Sequence, residues 1–373
     1  MKICHLSDSH LGAGAGHTKR GKSGLTERQE DIVNSFTEAI DKIIAIRPDL
    51  CIHSGDLFDA VRPTNRIMAI AGEQLHRLAE IESIPTVIIA GNHDAPRQPH
   101  IGAAIDVFRQ FDNLYVASGS SRQVFQVRQA RILALPHCVT TDVLQNELER
   151  CQPDSDAAFN ILTAHGIVAG MPRFAMAELG EQEIPLDIIN RFDYAALGHF
   201  HNYSRVAERA CYAGSTERLS QAERAAAKGF AEVDMEPFRI TFHEVRCRDM
   251  VDLPIIDATG YRGDQLASIL QDKITQVDGS DKIVRLRVTG VTEETLKTMP
   301  VAVVNDLRHN SFDLNITFER TADDESAVSI GRTAIGRLDT GFIEFLNAVD
   351  LTGFDIERLK REAILYLRAP EES

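Results

Sequence analysis

The sequence predicts an α/β fold, with sheet and helix layered over residues 1–235 and a smaller α+β domain after it. Two observations carry this. Apolar runs alternate with helical stripes through the N-terminal region. The polar motifs Asp8-x-His10, Gly55-Asp56, Gly91-Asn92-His93-Asp94, His165-Gly166 and Gly198-His199-x-His201 mostly follow those runs. Ligands of open α/β sheets bind just past such strand ends.

Taken in order, residues 2–6 read as a short buried strand that runs into the first motif. Residues 11–24 hold glycines at 12, 14, 16, 21 and 24 with His17, Lys19, Arg20 and Lys22, the composition of a basic, mobile loop. Residues 27–46 place Ile32, Phe36, Ile40 and Ile43 at helical spacing, and Pro48 limits the helix. Residues 49–54 form the next strand, ending at Gly55-Asp56. Ile67, Ala71, Leu75 and Leu78 mark a second helix, and the strand 86–90 ends at Gly91-Asn92.

Residues 114–117, 124–127 and 131–135 look like hairpins, and 142–150 like a short polar helix. Strands at 159–164 and 194–197 end at His165 and Gly198-His199. Arg205, residues 212–214 and 229–234 fit closing strands of the same sheet system. The pattern changes near residues 235–237. A strand at 238–245, a helix at 263–277, a strand at 282–289, a short helix at 292–299 and a strand at 311–318 make the smaller domain, 236–322. Residues 323–373 read as a linker, acidic at 323–325, and a C-terminal helical segment with apolar stripes in 341–368.

Composition narrows the classes. An apolar share of 43% suits ordinary cores. A net charge of −15 gives no general attraction to polyanions, although a local patch or bound metal can act against that average. The six cysteines form no close CxxC pair, which disfavours a zinc knuckle; Cys4 and Cys51 sit in apolar runs as buried thiols. Neither a signal peptide nor a membrane-spanning run stands out, so a soluble cytoplasmic protein without membrane contact is expected.

The motif residues supply imidazole and carboxylate, the ligands expected for manganese, iron or zinc rather than the all-oxygen set of magnesium or calcium. In an extended segment Asp8 and His10 point the same way and can reach one ion; His199 and His201 share that spacing. Asp56 and Asn92 each follow a glycine, which leaves the approach clear, and Asp56 is the candidate bridging carboxylate. Singly, each motif has a bland explanation as a turn or a strand end. Together, in this order, they indicate a site for two divalent metal ions. Of the remaining histidines, His5 fits a structural role, and His53 is a candidate for supporting the ligands from behind.

With these motifs the chain resembles the calcineurin-like metallophosphoesterase superfamily, over roughly residues 3–215, and within it the SbcD-type DNA repair exonuclease. The narrower resemblance rests on Leu6-Ser7-Asp8-Ser9-His10-Leu11-Gly12, Gly55-Asp56-Leu57-Phe58-Asp59, Gly91-Asn92-His93-Asp94, Tyr212-Ala213-Gly214-Ser215 and the second domain. It implies a four-layer β-sandwich flanked by helices, with a capping domain that positions DNA. It implies that Asp8, His10, Asp56 and His201 hold one metal, and Asp56, Asn92, His165 and His199 the other, with Mn²⁺ preferred. His93 would contact the scissile phosphate and assist the leaving group. The tail would dock on an SMC-like coiled-coil ATPase, and the protein would form a homodimer.

Two departures stand out. Asp59 occupies a place where some relatives carry a histidine, and reads as a supporting or surface carboxylate. The glycine-rich loop has no clear counterpart; its Lys19, Arg20 and Lys22 are candidates for contact with the DNA backbone. Asp94 is a candidate for orienting His93 or shaping its turn. The competing readings are a small-molecule or cyclic-nucleotide phosphodiesterase, and a scaffold with a dead site. The second is disfavoured because every proposed ligand is present.

Overall fold

The structure, a computed structural model, describes residues 1–96, 98, 101–170 and 182–320. The expected C-terminal helices at 341–368 lie outside the described residues.

Two sheets pack face to face. The first runs Phe238–Glu244, Gly229–Met235, Lys2–Leu6, Leu50–His53, Thr86–Ile89 and Leu114–Ala117. The second runs Ser204–Ala207, Ala210–Tyr212, Tyr194–Gly198, Phe159–His165, Ala130–Leu135 and Gln123–Val127. Alternation within each strand splits the apolar side chains between two cores. Ile3, Leu50, Ile52, Val87 and Ile89 meet Ile132, Ile161, Tyr194 and Ala196 of the opposite sheet. Cys4, Leu6, Cys51 and Ile88 face outward against Ile32, Phe36, Ile40 and Leu75. Those side chains lie on the helices Glu27–Ile46 and Asn65–His76. The outer face of the second sheet packs on Thr141–Glu149 and Leu186–Ile189 through Leu144, Leu148, Ile188 and Ile189. The result is the expected order of helix, sheet, sheet, helix.

Because both faces are covered, the inner strands are apolar runs and mostly parallel, as in other covered sheets. Lys2–Leu6, Leu50–His53 and Thr86–Ile89 pair in parallel, as do Phe159–His165 and Tyr194–Gly198. Their carboxyl ends carry the polar motifs. The helix Glu27–Ile46 begins with a capping box at Thr26 and Gln29, which satisfies two otherwise orphaned backbone N–H groups.

Several elements differ from the sequence reading. Leu114–Ala117 is no hairpin strand; it pairs in parallel with Thr86–Ile89, and the chain then crosses to the second sheet. Phe238–Glu244 belongs to the first sheet rather than the smaller domain. It pairs along its length with Gly229–Met235, so Glu236 and Pro237 make a hairpin turn where composition suggested a boundary. The separate smaller sheet starts at Met250–Asp252. Its long central strand Ile283–Val291 pairs with Asp313–Arg320 on one side and with Met250–Asp252 and Ile256–Asp257 on the other, all parallel. The helix Val301–Asn310 was not expected, since Val301, Val303 and Val304 disfavour helix locally. Burial of Val304 and Leu307 against the sheet overrides that preference.

The glycine-rich loop is packed between the two parts of the molecule. Thr26 Oγ1 and Gln29 Nε2 donate to the carbonyls of Gly14 and Gly12, at 2.8 and 3.0 Å. His17 stacks on Phe312, and the Arg248 guanidinium lies 3.5 Å from the same ring's centre.

Candidate metal centre

The residues singled out at the strand ends converge. Asp8, His10 and His201 form one group whose ligand atoms lie within 4.8 Å of one another; Asp8, Asp56 and His165 form a second, and His10, Asp56 and His93 a third. Asn92 Oδ1 joins them, 3.0 Å from His165 Nε2 and 3.1 Å from His199 Nδ1.

The local backbone is unusual here. Asp8, His10, Asp56 and His199 all have positive φ, at 51°, 43°, 54° and 101°. Residues with side chains rarely adopt that region, and such strain clusters at functional sites. Asp8 and His10 therefore do not meet through an extended segment, as their spacing suggested. The chain turns tightly, with the Asp8 N–H donating to the Gly55 carbonyl and the His10 N–H to that of Asp56, at 2.9 and 3.0 Å. Three glycines leave room for this crossing. A Cβ at Gly55 or Gly198 would strike the His165 ring, and one at Gly91 would strike the Asp56 carboxylate.

The donor set fits divalent cations. His201 Nδ1 faces the Glu223 carboxylate at 3.2 Å, and His10 Nδ1 faces Asp59 Oδ1 at 3.4 Å. The Glu223 carboxylate favours the His201 ring proton on Nδ1, whereas His10 Nδ1 makes no hydrogen bond among the described residues. The two Nε2 atoms face each other at 3.1 Å. His165 Nδ1 donates to the Ser54 carbonyl at 2.8 Å, and its Nε2 faces Asp56 Oδ2 at 3.3 Å and the Asn92 amide oxygen at 3.0 Å. Imidazole nitrogens, carboxylates and an amide oxygen converge on both sides, a donor set that a divalent cation can occupy in place of protons. Asp56 lies between the two sides. Its Oδ1 accepts from the His93 N–H at 2.8 Å, while Oδ2 is 3.3 Å from His165 and 3.6 Å from His10.

The electrostatics agree. Burial disfavours a charged His165, yet the Asp56 carboxylate outweighs burial and raises its pKa to about 9 in the metal-free protein. Burial likewise opposes charge on Asp56, but His165, His10 and His93 hold its carboxyl far below the ordinary range. Burial lowers His199 to about 4, with His165 adding to the effect, which leaves it neutral as a ligand must be.

The supporting residues sort themselves by contact. Asp94 does not reach the His93 ring. It accepts the N–H groups of Gly91, Leu57 and Phe58, at 3.0, 3.2 and 3.0 Å, and so ties the two ligand loops together. His93 Nδ1 instead donates to the Asp59 carbonyl at 2.8 Å. His53 is buried and meets Ser9 Oγ at 2.9 Å, which braces the turn between Asp8 and His10. His5 bonds Tyr194 and Ser54 in the space between the sheets, a structural role. Lys19 directs its ammonium to the carbonyls of Ser311 and His309, at the junction with the smaller sheet, while Arg20 and Lys22 are exposed.

Three residues in this neighbourhood went unnoticed in the sequence. Glu223 and Lys228 stand behind His201 with no motif to announce them. His137 follows the strand Ala130–Leu135, and its backbone N–H donates to the Ala90 carbonyl at 2.8 Å. Burial, together with His165, lowers its pKa to about 4.

This geometry has known relatives. The calcineurin-like phosphoesterase family matches residues 1–203. The chain belongs to that family. It is 30% identical over 281 residues to the DNA double-strand break repair protein Mre11 of Methanocaldococcus jannaschii, covering 70% of this chain and 71% of the relative. It is 29% identical to the Mre11 protein of Methanococcus maripaludis over 286 residues, 70% of this chain and 72% of the relative. With the protein of the same name from Saccharolobus solfataricus it shares 27% over 262 residues, 69% and 62% of the two chains. Membership in this family accords with a metal-dependent phosphoesterase centre. Among the described residues, no helix is long and apolar enough to cross a membrane.

Proposed function

We propose that this chain is a two-metal nuclease that hydrolyses DNA phosphodiester bonds in double-strand break repair, with Mn²⁺ as its metal. The observation that carries the reading is Asp56, whose single Oδ2 faces His10 on one side and His165 on the other. The printed names of the Mre11 relatives support DNA as the substrate. In this reading Asp8, His10, Asp56 and His201 hold one ion and Asp56, Asn92, His165 and His199 the other. When bound, the ions supply positive charge at the phosphoryl oxygens and lower the pKa of water toward neutrality.

The chain's own groups do the rest. The Ser54 carbonyl orients His165 through Nδ1, so the ring needs no reorganisation when a ligand arrives. His93 is oriented by the Asp59 carbonyl through Nδ1, and its Nε2 would meet a phosphate bound at the centre. As the imidazolium it would donate the Nε2 proton to the leaving oxygen and keep Nδ1–H on the Asp59 carbonyl, a role suited to a group that titrates near neutral pH. Tight turns with strained φ hold Asp8, His10 and Asp56 in place before substrate binds. The smaller domain after Met250 acts as a cap that restricts and positions the DNA. The partner is an SMC-like coiled-coil ATPase, the chain acts as a homodimer, and the compartment is the cytoplasm.

The test is a Mn²⁺-dependent assay on labelled single- and double-stranded DNA, with bis(p-nitrophenyl) phosphate alongside. The nuclease reading expects cleavage of DNA that weakens steeply with added salt, because phosphate contacts release counterions. Turnover of the small ester alone, insensitive to salt, would replace it with a small-molecule phosphodiesterase.

A further inference from the structure

Beyond the ligands, the most developed polar construction in the molecule lies behind His201. Glu223 sits at the end of the 3₁₀ turn Gln221–Glu223 and is buried. Its Oε1 meets His201 Nδ1 at 3.2 Å and accepts from Ser220 Oγ at 2.9 Å. Its Oε2 accepts from Lys228 Nζ at 2.6 Å and from the Leu219 N–H at 3.2 Å. Lys228 is itself buried, an uncommon place for an ammonium. It also donates to the His201 carbonyl at 2.7 Å and to Ser215 Oγ at 2.9 Å. The lysine therefore grips both the backbone of His201 and the carboxylate that faces its ring.

Burying a lysine and a glutamate is costly unless each is well bonded, and the pair is retained at a point where it fixes one imidazole. On the other side of the centre His165 is oriented by a backbone carbonyl instead. The same turn also reaches the smaller sheet. Arg224 Nε lies 3.4 Å from Asp252 Oδ2, and Asp252 also pairs with Arg285 of the central strand at 2.5 Å.

We infer that Glu223, clamped by Lys228, is a positioning residue for His201 that sets the affinity of the His10/His201 half of the centre for its metal ion, while leaving the His165 half unaffected. The inference rests on the two-ion reading above. Carboxylate partners of this kind typically change metal affinity about 10–100-fold when removed.

The experiment is calorimetric titration of the full chain with Mn²⁺, wild type against Glu223→Gln, with melting of each metal-free protein in chelator. The expected result is two binding steps in wild type, one of them about 10–100-fold weaker in the variant, the other unchanged. Activity on bis(p-nitrophenyl) phosphate should need correspondingly more Mn²⁺ for half-saturation, with the saturated rate largely recovered. A merely structural role would instead lower the melting temperature and weaken both steps together. Two steps of wild-type affinity in a folded variant would overturn the proposal alone; fewer than two steps in wild type would overturn the two-ion reading with it. Nitrogen-15 spectra of histidine in the Zn²⁺-loaded wild type test the same point without any variant. The proton is expected on His201 Nδ1 and the metal on Nε2, and the reverse tautomer would refute the role of Glu223.

Discussion

The two halves of the metal centre are built from different materials. Around His165 the orienting group is the Ser54 carbonyl, and glycines 55, 91 and 198 clear the space, so the main chain does the positioning. Around His201 the orienting group is the Glu223 carboxylate, and the Asp59 carboxylate lies 3.4 Å from His10 Nδ1. No single side-chain substitution removes the carbonyl that holds the His165 ring, although the Asp94 carboxylate ties the Asp56 and Asn92 loops together. A half built from side chains can be tuned by substitution.

Asp56 belongs to both halves, so its loss should erase the difference between them. Asp56→Asn is expected to lower the content of both metals and abolish measurable turnover. Full metal occupancy with a near-normal rate, read by elemental analysis and assay, would remove Asp56 from its bridging place.

His93 touches the centre without belonging to either half. Its backbone N–H, which holds Asp56 Oδ1, survives in His93→Ala. That variant should bind two ions yet hydrolyse about 10²–10⁴-fold more slowly, the range for losing a general acid. Because His93 also falls in a group with His10 and Asp56, loss of one ion would make it a ligand instead.

Acid should separate the halves. In the metal-free protein Asp56 raises His165 to about 9 against the opposing effect of burial. A metal needs the neutral ring, so the proton competes below that pH and binding releases it. Affinity of the His165 half should fall by about tenfold per pH unit as pH drops below this pKa. Titrations in buffers of different ionisation enthalpy would count the proton; none released at pH 7 would contradict the raised pKa.

The smallest effect is expected at Asp59. Its side chain is 41% exposed and only 3.4 Å from His10 Nδ1, a distance too long for a strong hydrogen bond. Asp59→Asn should weaken the His10/His201 half by no more than severalfold, measured by the same Mn²⁺ titration. A loss as large as that expected for Glu223→Gln would mean that the exposed carboxylate holds this half as firmly as the buried one.

Much of this architecture is written locally. The strands that end near Asp8, Asp56, Asn92, His165 and His199 are apolar runs punctuated by glycine, and the helix Glu27–Ile46 announces itself by its apolar stripe. What misled was punctuation. Pro237 read as a domain boundary and is a hairpin turn, because the partner strand lies immediately before it. The helix Val301–Asn310 has no local stripe to announce it, and burial of Val304 and Leu307 imposes it. In the site, Glu223 and Lys228 were invisible because an isolated Glu and Lys in an alanine-rich stretch look like any solvated pair.

The sequence by itself determined the identity and order of the candidate ligands, since metal chemistry requires particular side chains and strand ends place them. Only the tertiary structure decided how those side chains are held: which carbonyl or carboxylate faces each ring, where the backbone turns left-handed, and which lysine is buried. The reason is distance along the chain. His201 and its partners at 10 and 223, like His165 and its partner at 54, become neighbours only once the two sheets have closed on each other.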